Sequence, residues 1–258
     1  MKSCIAVLTR GYDDISNYSS LIKRNEHISQ NLDDKTIDIL IFHEGNITTE
    51  QQKYILEQTP TLNMNFVNIS DNAFKPEKSN ILFEAAPDFN LGYRHMCSFW
   101  FVDFWHYVKD YDFLLRIDED CFINFNINNI FSQLHSYSIV SGKNQKDWAF
   151  VTDGLNNFTL NFIQNNSNNY RFKQYEPKLP YGPYTNVVGM NLNKLSENKT
   201  LQKYIRMIDN SQMIYKRRWG DLPLWGEAIH YILGNDEYLI DTKIKYIHGS
   251  HANTNVNS

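Results

Sequence analysis

Tyr111-Asp112-Phe113-Leu114-Leu115-Arg116-Ile117-Asp118-Glu119-Asp120 is an apolar run that ends abruptly in three acids. Short and mostly apolar, the run predicts a buried strand over 111–117. In open α/β sheets, ligands bind beyond the carboxyl ends of the strands, so acids stationed there are candidates for a site. Two carboxylates spaced i, i+2 past a strand end can converge on one hard divalent cation. Such a cation can bridge a diphosphate and offset the charge on a departing nucleotide. Acids after a strand are also commonly a solvated turn, so the neighbours decide their meaning.

Working upstream, Cys4–Leu8 and Ile37–His43 read as buried strands and Phe66–Ile69 as a third. Asn17–Gln30 reads as a helix with Leu21, Ile22 and His27 near one face. This β-α-β-β order, with apolar rather than alternating strands, predicts an α/β fold with a mostly parallel sheet covered by helices on both faces. Lys75–Asp88, with Pro76 and Pro87, predicts a loop. Gly92–Val108 puts Met96, Phe99, Trp100, Phe104 and Val108 at helical spacing and predicts a core helix. Downstream, Asp147–Asn169 is partly amphipathic, Pro180–Pro183 marks a break, Thr185–Leu192 a strand and Lys194–Ile208 a helix. Asp221 can cap a helix running to about Leu233, with Pro223 in its first turn. Ile244–His248 predicts a last strand, and the Asn-rich tail after His251 a frayed end.

The chain has 258 residues, 42% of them hydrophobic, enough for the core of one domain. The formal net charge is -4, and Lys216-Arg217-Arg218, the one basic run, reads as a solvated face. Nucleic acid and anionic membranes attract basic surfaces, so neither is expected as a partner. Cys4, Cys97 and Cys121 are too few and too scattered for a disulfide framework or a Cys-rich zinc site. No window reaches the roughly 18 apolar residues that span a bilayer, and the start does not read as a signal peptide. A cytoplasmic, reducing setting is the expectation.

Two further clusters carry chemistry. His248 closes the last strand with His251 three residues on, and an imidazole suits Mn²⁺ better than Mg²⁺. Arg218-Trp219-Gly220-Asp221 opens a helix that also holds Glu227 and His230. Asp221, with Glu227 as second candidate, can accept the proton of an acceptor hydroxyl; the competing reading of Asp221 is a helix cap. Arg10, just past the first strand, has the planar fork that suits a phosphate or a ribose edge. Tyr93 can stack on a nucleotide, or simply pack in the core.

Tyr93-Arg94-His95-Met96-Cys97, the strand ending at Asp118-Glu119-Asp120, Arg218-Trp219-Gly220-Asp221-Leu222-Pro223 and Tyr246-Ile247-His248 occur in the order and rough spacing of the fungal Golgi α-1,2-mannosyltransferases. The chain resembles that family from about Ala6 onward. The resemblance implies a GT-A fold in one domain over 1–258, with a nucleotide-binding half over about 1–125 and an acceptor half over about 126–258. It also implies a GDP-mannose-type donor, a glycan or other hydroxyl acceptor, and Mn²⁺ (or Mg²⁺) held by Asp118, Asp120 and His248. Arg10, Tyr93, Asp118 and Arg218 would then serve the donor nucleotide. Where the family carries Ser-Asn-Phe-Glu, this chain has Thr185-Asn186-Val187-Val188-Gly189 and no carboxylate. Mechanism or sugar, a UDP-sugar included, can therefore differ. The family's membrane anchor has no counterpart here, so a Golgi location does not carry over.

Two other classes compete. A metal-dependent phosphohydrolase also needs acids beyond strands, but wants more Asp and His ligands at tight spacing. A lectin-like relative would bind glycans through aromatics, which make up 14% of the chain. Mn²⁺-dependent nucleotide binding separates transferase from lectin, and nucleotide release separates catalyst from relic.

Overall fold

The computed structural model describes residues 1–166, 181–234 and 236–249. Residues 167–169, Pro180, His251 and the Asn-rich tail lie outside them. In chain order the elements are β1 (Ser3–Leu8), α1 (Ser19–Asn31), β2 (Asp38–His43), α2 (Thr49–Gln58), β3 (Asn63–Asn68), α3 (Leu91–Ser98), β4 (Phe113–Ile117), β5 (Cys121–Ile123), α4 (Ile127–Leu134), β6 (Ile139–Ser141) and β7 (Asn144–Lys146). There follow α5 (Leu155–Asn166), β8 (Tyr181–Pro183), β9 (Val187–Asn191), α6 (Leu192–Glu197), α7 (Lys199–Ser211), α8 (Met213–Arg217), α9 (Asp221–Glu227), β10 (Tyr238–Ile240) and β11 (Tyr246–His248).

Seven strands form the central sheet in the order β10-β6-β9-β4-β1-β2-β3. All neighbouring pairs are parallel except those of β9, which runs antiparallel to β4 and β6. The predicted mostly parallel α/β sheet is present. Alternation sorts the strand residues onto two cores: Cys4, Ala6, Leu40, Phe42 and Leu114 face Trp100, Phe101 and Trp225. Ile5, Val7, Ile39, Ile41, Leu115 and Ile117 face Leu21, Ile28, Ile55 and Ile130. Burial on both faces explains why these strands read as continuous apolar runs.

Several sequence readings are corrected. The β-α-β-β order omitted α2, which a capping box starts: Thr48 Oγ1 accepts from Gln51 N, while the Gln51 side chain accepts from Thr48 N. The long helix over Gly92–Val108 is broken: after α3 comes a π-helical turn over Phe99–Asp103 and a 3₁₀ turn over Phe104–His106. The wider turn buries Phe99, Trp100, Phe101 and Phe104 together, and Trp225 Nε1 donates to the Trp100 carbonyl at 3.1 Å. Pro183, placed in a break, belongs to β8, which pairs with β7. That hairpin leaves α9 almost no room, since a Cβ at Gly226 would sit 2.1 Å from the Tyr181 carbonyl oxygen. Much of the asparagine content is structural: Asn90, Asn126, Asn191 and Asn198 are the side-chain N-caps of α3, α4, α6 and α7. Among the described residues no helix is long and apolar enough to cross a membrane.

Candidate active site

The acidic triplet sits where β4 leaves the sheet. Asp118 N donates to the Asn186 carbonyl at 2.8 Å, and Cys121 N turns back onto the Asp118 carbonyl at 3.1 Å. The chain then enters β5, which pairs antiparallel with β11 and sets His248 opposite Cys121. This small second sheet swings His248 over the triplet, with its Nε2 3.3 Å from Asp120 Oδ1. Tyr184 Oη lies 2.9 Å from Nδ1 of His248, and Asn186 Nδ2 lies 3.1 Å from Nε2. If Nδ1–H donates to Tyr184, Nε2 keeps its lone pair, the state a metal ligand needs.

Asp120, Cys121 and His248 bring their donor atoms within 4.8 Å of one another. Burial, followed by Asp118 and Asp120, pushes the Cys121 thiol far above its ordinary pKa. Of the three, the Asp120 carboxylate oxygen and the His248 imidazole nitrogen suit Mn²⁺, while a thiol suits softer metals.

The three acids have three different surroundings. Glu119 accepts from Thr9 Oγ1 at 2.6 Å and from Tyr12 Oη at 2.9 Å, which ties the turn to the loop after β1. Asp118 is chelated by Arg116, whose Nε and Nη2 reach its two oxygens at 2.7 and 3.0 Å. Arg116 Nη1 also donates to Asp221 Oδ2 at 2.6 Å, and its guanidinium lies over the Trp100 ring at 4.4 Å. Arg116 is therefore the hub of the site. Paired residues of antiparallel strands share a face, and Arg116 pairs with Val188 of β9. Gly189 looks the other way, where a Cβ would strike Ile130 of α4 at 2.6 Å. Of Val188 and Gly189, only Val188 shares a face with the site.

Two cavities meet at this hub. One, of about 350 Å³, is lined by Leu8, Tyr12, Ser20, Glu119 and Asp120. The other, of about 510 Å³, is lined by Tyr93, Asp147, Arg218, Asp221 and His248 among others. Met96, Arg116 and Asp118 line both.

The structure thus brings together Asp118, Asp120, His248, Tyr93, Arg218 and Asp221 around adjoining cavities. Arg218 is not the solvated cation expected of the basic run: it is buried, donating to Asp147 Oδ2 and to Tyr93 Oη, each at 2.5 Å, with Phe89 and Tyr93 against its plane. Arg217 beside it does stay half-exposed, paired with Glu84 and Asp153. Asp221 is not a cap. Gly220 holds the N-cap position of α9, and the Asp221 side chain turns to Arg116. Arg10 remains at the surface, its guanidinium 5.1 Å over the Tyr12 ring, and lines neither cavity. Glu227 is only 2% exposed and also lines neither cavity; Asn156 Nδ2 donates to its Oε1 at 3.2 Å. Burial raises the Glu227 carboxyl from 4.5 to about 7.

Sequence reading missed Arg116, Tyr184, Asn186 and Asp147. Arg116 did carry a signal, a lone charge inside an otherwise apolar strand. Arg24 is also buried: within α1 it donates to the carbonyls of Ile117 and Ala6 and ties β4 to β1.

No protein-family profile matches the chain, and no curated protein sequence matches it. Solved structures do. The mannosyltransferase Ktr4p from S. cerevisiae superposes with a TM-score of 0.77 at 16% identity, over 96% of this chain and 70% of that one. Core-mannan synthase A from Aspergillus fumigatus, in its Mn/GDP form, gives 0.77 at 13% identity, over 96% and 74%. Mouse xyloside xylosyltransferase 1 gives 0.58 at 12% identity, over 93% and 85%. The chain has the GT-A glycosyltransferase fold.

Proposed function

We propose that this chain is a metal-dependent glycosyltransferase that moves a hexose from a nucleotide-diphosphate sugar to a hydroxyl acceptor. The observation that carries this reading is the Asp120–His248 pair, 3.3 Å apart, at the carboxyl edge of the sheet beside two cavities. The smaller cavity draws all its lining from residues 8–120 and would take the nucleotide. The larger draws on both halves of the chain and would take the acceptor. Mannose is the sugar and GDP the nucleotide in this proposal, by likeness to the fungal enzymes; a UDP-sugar is the alternative.

Asp120 and His248 would hold Mn²⁺, or Mg²⁺, which supplies positive charge to the departing diphosphate. The remaining steps belong to the chain's own side chains. Arg116 offsets one of the two negative charges of Asp118 and Asp221, which lessens the repulsion these carboxylates exert on an anionic donor. Asp221 gives one oxygen to Arg116, and its carboxylate accepts the proton of the attacking hydroxyl. With Asp221 as the base, attack is direct and inverts the anomeric centre; in a retaining transfer the leaving phosphate guides the acceptor on the same face and Asp221 only positions it. Tyr93, fixed by Arg218 in the wall of the larger cavity, orients the bound acceptor sugar.

The test is a thermal-shift panel of GDP- and UDP-sugars with and without Mn²⁺, followed by nucleotide release on addition of acceptor. A ligand at a hundred times its Kd adds about 2.7 kcal/mol to the folded state, a readily measured shift. Stabilisation that needs both nucleotide and Mn²⁺ is expected; none with any nucleotide would end the reading.

A further inference from the structure

An aromatic row climbs from the floor of the larger cavity into solvent. The Tyr93 and Phe89 ring centroids are 4.9 Å apart, Phe89 and Trp148 6.3 Å, and Trp148 and Phe150 5.6 Å with planes 18° apart. The inner rings are packed by Arg218. The outer two are 62% and 55% exposed, although both are large and apolar. Contiguous apolar surface at a cavity rim marks a binding surface.

The backbone holds the outer rings in place. Trp148 N donates to Asp147 Oδ1 at 2.9 Å, while Asp147 Oδ2 is pinned by Arg218. Val151 N and Thr152 Oγ1 both donate to the Trp148 carbonyl, closing a 3₁₀ turn whose Val151 is buried. A preordered surface of this kind loses little entropy when it is covered.

We propose that Trp148 and Phe150 form an outer acceptor subsite for a pyranose ring, so that the acceptor is an oligosaccharide rather than a single sugar. This rests on the reading of the larger cavity as the acceptor site. A pyranose presents a face of C–H groups ringed by hydroxyls, which fits a flat apolar ring bordered by polar groups. Gln145, Lys146 and Asp147 supply that border on the same wall as Trp148. A reactive hydroxyl at Asp221 then belongs to the terminal sugar, and the next ring in the chain lies outward on Trp148.

The experiment titrates methyl α-mannoside and a panel of trihexosides (mannotriose, maltotriose, cellotriose) into the Mn²⁺–nucleotide complex by calorimetry, and offers the same acceptors with Mn²⁺ and a nucleotide-sugar donor to follow nucleotide release. In Trp148→Ala the Kd or KM of the bound trisaccharide is expected to rise about tenfold, equivalent to ~1.4 kcal/mol. The monosaccharide constant and the nucleotide-induced thermal shift should not move, and Trp148→Tyr should restore trisaccharide affinity. Equal effects on mono- and trisaccharide, or loss of nucleotide binding in Trp148→Ala, would overturn the subsite, as would failure of every trihexoside to bind. Trisaccharide binding that depends on Trp148 without turnover would keep the subsite and end the transferase reading. Turnover indifferent to Trp148 would do the reverse.

Discussion

Replacing Arg116 by Met keeps the length and much of the volume of the side chain but removes the charge that two carboxylates share. Arg116 is 3% exposed; Asp221 is buried beside it, and Asp118 is 25% exposed. Removing one partner of a buried ion pair leaves the other charge uncompensated, which costs about 3–5 kcal/mol. For a chain of this length each kcal/mol is worth about 2–4 °C in Tm, so a fall of roughly 6–20 °C is expected. The deficit has a pH signature. Desolvation already holds the Asp118 carboxyl above its ordinary value, with Arg116 pulling it down. Without Arg116 it climbs further, and an acid whose folded-state pKa is raised loses stability as pH rises. The gap between variant and wild type should therefore be wide at pH 7.5 and narrow toward pH 5. Thermal unfolding across that range measures it. Adding Asp118→Asn and Asp221→Asn to Arg116→Met should recover most of the loss at pH 7.5. A loss below about 1 kcal/mol, the size of an ordinary surface pair, or no recovery in the triple variant would refute the role of Arg116 as charge hub.

Asp120→Ala should abolish the Mn²⁺-dependent shift given by a nucleotide while leaving the circular dichroism unchanged; unaltered nucleotide affinity would remove Asp120 from the metal site. Asp221→Asn should lower kcat by about 10²-fold or more if the carboxylate is the base, and a near-normal rate would reduce it to a partner of Arg116. For Glu227, raised by burial from 4.5 to about 7, stability falls as pH rises between those values and then levels. Glu227→Gln should remove that slope and stabilise the protein above pH 7 by up to about 3 kcal/mol, at 1.36 kcal/mol per pKa unit. Identical Tm–pH profiles for the two proteins would contradict the buried, uncharged carboxyl.

The α/β class, the strands β1, β2 and β4 and the acids at the end of β4 were legible in the chain. The reason is that strands buried on both faces must be continuously apolar, and a charged triplet ends such a run visibly. Tyr93, Arg218 and Asp221 stood out because their segments are specific in residue type and spacing, and His248 because it closes the last apolar strand. What they do to one another was not legible. Arg116 reaches Asp221 across 105 positions of sequence, and no local pattern records that pairing. His248 meets Asp120 only because β11 pairs with β5 in one register, which fixes which side chains share a face. Glu227 and Arg218 went the opposite way from simple expectation, the acid into the core and the cation out of solvent. Polarity alone does not decide burial; a partner in reach does, and Asp147 and Asn156 become partners only when the chain has folded. Composition and order chose the fold, while long-range pairing chose which charges meet and so placed the site.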